Sequence, residues 1–408
     1  MAGSAALVVV GVLLLATLVP RLCADEETRR RIGRWTAWSF AGHLGLGLAV
    51  SSSSTLQSYL GGDADQYHQG AQGIVAHWLD GSALPLLPPG KEGFYYLMAG
   101  LYWAVGASPV TGLVINAVMT AALVPIMSTL TTELFGERAA RPVPVLVTLL
   151  PGFALWPSQL LREAGVYFFT AVALLAAARL ARRVKPSSVV VLASSLALLS
   201  TWRSYIALMV AGGVAVALVV GSRGLKGIAA GLSATVVVGA LVVGLGLGYS
   251  GLRAANDADL VEVDSIRLDS ATGADSGYLE DADVSDSRRA VSYLPVALPY
   301  LAFGPFPWQL AGGRQLFGVP DAVTWWILLP SLATGIHLGW RRHRWRIAML
   351  IGPALGSSVA IALLVANFGT MVRARMQVIL ILVPLVAFGW SERHVALAPK
   401  AELSERTG

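Results

Sequence analysis

Long apolar runs, each close to the length of a membrane crossing, alternate along this chain with short polar interruptions. A helix needs about 20 mainly apolar residues to cross a bilayer. The pattern predicts crossings at roughly 5–23, 35–57, 109–131, 141–157, 163–182, 187–203, 204–221, 226–249, 321–340, 345–366 and 374–391, eleven in all. Two further apolar stretches, 93–107 and 294–311, are rich in Tyr, Phe and Trp, as interfacial helices tend to be. They read as interfacial or re-entrant segments, because a crossing by either would upset the sidedness of the loops that follow. The predicted fold class is an all-α integral membrane protein of about eleven transmembrane helices, with interfacial helices on its outer face.

Composition sharpens this picture. Hydrophobic residues make up 55% and charged residues 13% of the 408 positions, and mean hydropathy is +0.64. Soluble domains carry about 25% charged residues, so a disordered chain and a soluble two-domain enzyme are both excluded. The single cysteine, Cys23, can form neither an internal disulfide nor a metal cluster. The net charge of +6 calls for no nucleic-acid partner. Its arginines fall in short loops between crossings, where membrane topology places them.

Those arginines orient the chain. Arg29, Arg30, Arg31 and Arg34 lie between the first two crossings, Arg179, Arg182, Arg183 and Lys185 follow the fifth, and Arg341, Arg342, Arg344 and Arg346 follow the ninth. All three clusters share one side if the N-terminus is outside, and the positive-inside rule makes that side cytoplasmic. Residues 50–108, the turn at Arg162-Glu163, residues 250–320 and the turn at Arg373 then face outward. The leading Met-Ala-Gly-Ser-Ala lacks positive charge, which favours an uncleaved anchor over a cleaved signal. The expected organisation is one transmembrane domain over 1–391, with an outer loop at 58–108 and a cytoplasmic tail at 392–408. Residues 250–293 carry ten Asp or Glu against four Arg, with Gly and Ser throughout. They read as a flexible, solvated outer loop, with a mobile lid or a calcium-binding loop as alternatives.

Candidate chemistry gathers on the outer face. Gly62-Asp63-Ala64-Asp65-Gln66-Tyr67-His68 places two carboxylates, a tyrosine and a histidine directly after an apolar segment, and such a cluster is costly to keep beside lipid. Residues 67–78 read as an amphipathic surface helix that would hold the carboxylates at the mouth of the membrane domain. Asp63 and Asp65 could serve as a general base or hold a divalent metal, Mg or Mn. Arg162-Glu163 is either an internal ion pair or a phosphate-binding arginine with its orienting acid. Arg373 and Arg375, on the side the positive-inside rule disfavours, either snorkel to lipid headgroups or clamp a lipid-linked phosphate. Lys91-Glu92 with Tyr95 and Tyr96 closes the first outer loop, and Arg203 with Tyr205 marks another outer turn. His43 lies within a crossing, where a helix-packing contact is the simpler role.

These residues resemble a family. Asp63, Tyr67 and Ala71 match the opening of the first outer loop in the GT-C glycosyltransferases, polytopic enzymes that take sugars from polyprenyl-phosphate donors. Members include protein O-mannosyltransferases and the aminoarabinose transferases of lipid A. The Pro88-Pro89 turn, the aromatic segment from Phe94 to Trp103, the Glu133–Ala140 stretch, Leu150-Pro151, Trp156-Pro157-Ser158 and Arg162-Glu163 continue the likeness over roughly residues 35–185. The turn departs from it: Pro-Pro-Gly-Lys stands where the family has a Lys-Pro-Pro-Leu-like element. The resemblance implies sugar transfer to a glycan, lipid or protein acceptor at the extracytoplasmic face of the plasma membrane. Asp63 and Asp65 would be the catalytic carboxylates. Arg162, Arg373, Arg375 and Lys91 would bind the donor phosphate, and Tyr67, His68, Glu92, Glu163 and Tyr95 would orient the acceptor. Alternatives are a lipid-linked glycan polymerase or ligase, and a transporter or flippase of lipid-linked sugar. Transporters usually carry ionisable residues near the midplane, whereas here they collect at one face.

Overall fold

The computed structural model describes residues 2–221 and 260–397, except Ala24, Gly61, Pro89, 273–276, Glu280 and 311–312. Helices dominate, and no strand occurs among the described residues. The order is α1 (Ala2–Leu22), α2 (Glu26–Ser52), α3 (Ser54–Leu60), α4 (Ala64–Asp80), α5 (Glu92–Val105), α6 (Pro109–Phe135), α7 (Glu137–Ala140), α8 (Val143–Leu149), α9 (Pro151–Leu155), α10 (Glu163–Arg182), α11 (Pro186–Gly221), α12 (Leu260–Thr272), α13 (Ser287–Phe303), α14 (Gly313–Leu316), α15 (Val319–Arg342), α16 (Arg344–Leu364) and α17 (Phe368–Leu397). Among the described residues seven helices are long and apolar enough to cross a membrane by length and composition: α1, α6, α10, α11, α15, α16 and α17. The protein is therefore an all-α, multi-pass membrane protein.

Several expected crossings take a different form. The boundary expected between 187–203 and 204–221 is present: the two runs form two helical arms, labelled together as α11, that meet at a kink where Arg203 leaves helical geometry at φ −162° and ψ 86°. Its two arms pack differently. Trp202 covers Gly165 at the start of α10, while Gly213 lies against Pro353 and Gly352 halfway along α16. The 141–157 run is not one helix. Pro142 and Pro144 stand at the start of α8 and Pro151 opens α9. A proline lacks a backbone donor and its ring clashes with the preceding turn, so the run breaks ahead of Pro151. α8 and α9 result, seven and five residues long. The 35–57 crossing ends at Ser52, with α3 following after a one-residue break. α2 has the length to cross but not the apolarity of the other seven, owing to its Trp, Ser, Gly and His content. The 226–249 run lies outside the described residues. The interfacial segments become α5, of 14 residues, and α13, of 17, and neither is among the seven.

Broken backbone within apolar surroundings must find hydrogen-bond partners inside the protein. Here two buried polar side chains supply them. Asn116 of α6 donates through its amide nitrogen to Gln159 O at 2.6 Å and Leu161 O at 2.8 Å. The Nε2 of His43 in α2 lies 2.8 Å from Phe153 O. The packing role expected for His43 is what the structure shows.

The described part of the acidic stretch, 260–272, 277–279 and 281–293, is more ordered in form than the solvated loop expected of it. Residues 260–272 are helical, and Arg267, 1% exposed, donates to the carbonyls of Leu279 and Ala282. Tyr278 docks this unit on the end of α16, its N–H donating to Ala366 O and its hydroxyl to Val365 O.

Candidate functional site

The site forms where the N-termini of α4, α5, α10 and α17 meet the bend of α11. Asp63 is the N-cap of α4, yet its side chain makes no capping hydrogen bond. It faces Arg373 instead, with Nη1 3.5 Å from Oδ2. Arg373 lies in the second turn of α17. Its guanidinium bonds Gly369 O and the Thr370 hydroxyl and sits 5.9 Å over the ring of Trp156. Tyr167 of α10 donates to the Arg373 carbonyl at 3.2 Å, which fixes the backbone beneath.

Lys91 caps α5 and Arg162 caps α10, neither with a side-chain capping bond. The Arg162 guanidinium donates to Gly90 O at 3.3 Å and Trp202 O at 2.8 Å, tying the loop before α5 to the bend of α11. These partners are carbonyls, so its charge is solvated but not neutralised. Below it Arg203 Nη2 meets Glu163 Oε1 at 3.2 Å, both side chains nearly inaccessible. Nε and Nη1 of Arg203 and Oε2 of Glu163 are buried without a hydrogen-bond partner among the described residues. Tyr67 is buried against Phe94 and Tyr95, with ring centroids 4.9 and 5.0 Å away, and it shares the field of Asp63, Arg162, Glu163 and Arg203. Gly70 is required one turn later, because a Cβ there would lie 2.4 Å from the Tyr95 ring.

Four cations, Lys91, Arg162, Arg203 and Arg373, thus surround two carboxylates, Asp63 and Glu163. Burial by itself pushes the Asp63 carboxyl up, but Arg373, Lys91 and Arg162 together hold it below the usual carboxylate range. Lys91 is drawn down by burial and by Arg162, with Asp63 opposing. Beside the Asp63–Arg373 pair opens a cleft of about 160 Å³, walled by Tyr59, Trp156, Phe368, Gln315 and Asn367. Aromatic faces with amide side chains suit a polar ring, and the excess of positive charge suits an anion.

The expected site residues divide into two groups. Asp63, Lys91, Arg162, Glu163, Arg373, Tyr67 and Tyr95 come together. Asp65 is exposed and lines a different hollow with His68 and Gln57. His68 Nδ1 lies 2.7 Å from the Tyr102 hydroxyl, and burial draws its pKa down. Glu92 makes no ion pair with the cluster among the described residues. Arg375 turns inward. At 2% exposure it bonds Asp321 Oδ2 at 2.7 Å and the Gly304 carbonyl, so it braces α17 against α15 rather than facing the cleft. A metal at Asp63 and Asp65 does not fit: the two carboxylates serve different surfaces, and the cations around Asp63 repel a divalent ion. No group of three His, Cys, Asp or Glu side chains gathers as a metal site among the described residues. Arg203, Trp156 and Asp321 complete the picture. Their signals were an arginine isolated between apolar runs, a tryptophan beside Pro157, and a lone acid at the start of a crossing.

No family model matches the sequence, and comparison with curated proteins finds no relative.

Proposed function

We propose that the protein is a membrane glycosyltransferase that moves a sugar from a polyprenyl-phosphate donor to a glycan, lipid or protein acceptor at the extracytoplasmic face of the plasma membrane. The observation that carries this reading is one ionised carboxylate, Asp63, set among cations that outnumber the acids around it, beside a cleft at the end of an apolar bundle. The donor phosphate lies against Arg373 and Lys91, with Arg162 beneath. Its prenyl chain runs down the apolar flank, and its sugar enters the aromatic cleft. The acceptor hydroxyl gives its proton to Asp63 while its oxygen bonds the anomeric carbon. The bond from that carbon to the phosphate oxygen breaks, and its electron pair leaves with the phosphate. The arginines stabilise that growing charge. Separating Asp63 from Arg373 suits this order, since a donor phosphate that engages Arg373 frees the carboxylate and restores its basicity.

Binding of the leaving group tests this reading. Polyprenyl phosphate, polyprenyl diphosphate and unphosphorylated polyprenol are titrated against the purified chain in nanodiscs. The monophosphate is expected to bind tightest, and Arg373→Ala to weaken it about tenfold or more, as for loss of a charge-assisted contact. Tighter diphosphate binding would favour a polymerase or ligase. Equal binding of polyprenol would contradict a phosphate site altogether.

A further inference from the structure

A second opening, whose lining shares no residue with the cleft at Arg373, lies between α2 and the break that separates α8 from α9. It encloses about 700 Å³ and is lined by Arg34, Trp35, Trp38, His43, Thr148 and Leu149. The break creates it, because two short helices cannot follow α2 along its length. Gly42 on its floor has open space, and a Cβ there would meet nothing within 4 Å. Trp38 is 71% and Leu149 59% exposed, so the walls are apolar and uncovered. Leu46 also lines it. Arg34 and Leu46 are twelve residues apart on one helix, about 18 Å. One leaflet of a roughly 30 Å hydrocarbon core is about 15 Å deep.

Two polar features select the occupant. Arg34 makes no ion pair among the described residues, whereas the nearby Glu26 is taken by Arg29 and Arg30. It stands at the arginine-rich end of α2, where membrane phosphates lie. Thr148 lines the groove and is 7% exposed as a residue, and its hydroxyl is buried without a hydrogen-bond partner among the described residues. A prenyl chain carries no polar atom along its length, but a glycerophospholipid has ester carbonyls between phosphate and chain. Basic pockets between membrane helices hold such headgroups by charge. We infer that this groove is a binding site for an anionic glycerophospholipid of the leaflet on the arginine-rich side, with its phosphate at Arg34, an ester oxygen at Thr148 and one acyl chain along Trp38 and Leu149.

The test uses the purified full chain and phosphatidylglycerol carrying a photoactivatable group in one acyl chain, with the phosphatidylcholine analogue as comparison. Phosphatidylglycerol is expected to label α2 and residues 143–154 in preference to phosphatidylcholine. Arg34→Gln should cut that labelling about tenfold, the scale of one charged hydrogen-bonded contact. Gly42→Phe keeps Arg34 and fills open space on a helix with a ring, and it should block labelling even if Arg34→Gln folds poorly. Equal labelling by the two lipids, labelling spread evenly around the bundle, or labelling indifferent to Gly42→Phe would each overturn the site. Cross-links from the groove to another protein segment in place of lipid would overturn it as well.

Discussion

An aspartate at a helix N-cap ordinarily accepts a hydrogen bond from a backbone N–H two or three residues on. Asp63 gives up that bond and meets Arg373, so the energy of this carboxylate is set by the cluster and not by its helix. Burial raises its pKa, and Arg373, Lys91 and Arg162 lower it further than burial raises it. If the protein transfers sugar as proposed, the acid limb of kcat/KM, which reports the unliganded state, is therefore expected below the usual carboxylate range. Arg373→Gln removes a lowering charge and should move that limb to higher pH. Donor phosphate masks the same charges, so the limb in kcat, which reports the bound state, should lie above that in kcat/KM. A limb that stays put in Arg373→Gln would separate Arg373 from the base. Asp63, Lys91, Arg162 and Arg373 were legible in the sequence because each is charged beside apolar runs on a common face. Arg375 was not. Read as part of a turn, residues 373–375 seemed free to act together, but α17 begins at Phe368. Two residues apart on a helix point about 200° apart, so one arginine reaches the cleft and the other Asp321.

The elements that carry the site are held by buried polar contacts more than by surface charge. α15 and α17 are joined by Asp321 and Arg375, each side chain 2% exposed. Removing one partner of a buried pair strands the other charge at a cost of about 3–5 kcal/mol, whereas replacing both with apolar residues of similar size is often neutral. Asp321→Leu should accordingly lower the unfolding temperature in detergent sharply, and Asp321→Leu with Arg375→Met should recover most of the loss. Sugar transfer by the double variant at near wild-type rate would match a brace. Loss of transfer without loss of stability would return Arg375 to donor binding. Element boundaries were hardest to read where proline and polar residues interrupt apolar runs. Hydropathy alone joins α8 and α9 into one crossing, and only the Asn116 and His43 contacts reveal why a broken path is tolerated there. The bend at Arg203 was visible as a lone arginine, but its pairing with Glu163 depends on how α10 and α11 face each other.

At the scale of the whole molecule, the proposed function requires the cluster and the arginine-rich loops to lie on opposite sides of the membrane. Reporter fusions at Leu86 and Ser285 are expected on one side, and fusions at Arg183 and His343 on the other. Agreement between Leu86 and His343 would break the topology on which an extracytoplasmic site depends. The general layout, an apolar bundle with polar chemistry at one end, could be read from hydropathy and charge alone. The folded acidic unit around Arg267 could not, because its helix is held by carbonyls of residues 279 and 282, which carry no compositional signal. The central claim is that Asp63 removes the acceptor proton during sugar transfer from a lipid-linked phosphate. Its most direct test is single-turnover transfer in proteoliposomes supplied with radiolabelled polyprenyl-phosphate sugars and acceptor-rich membrane extract, comparing wild type with Asp63→Asn. The account predicts release of polyprenyl phosphate by wild type and a loss of about 10²–10⁴-fold in Asp63→Asn, with donor binding retained. Transfer at wild-type rate by Asp63→Asn would contradict it.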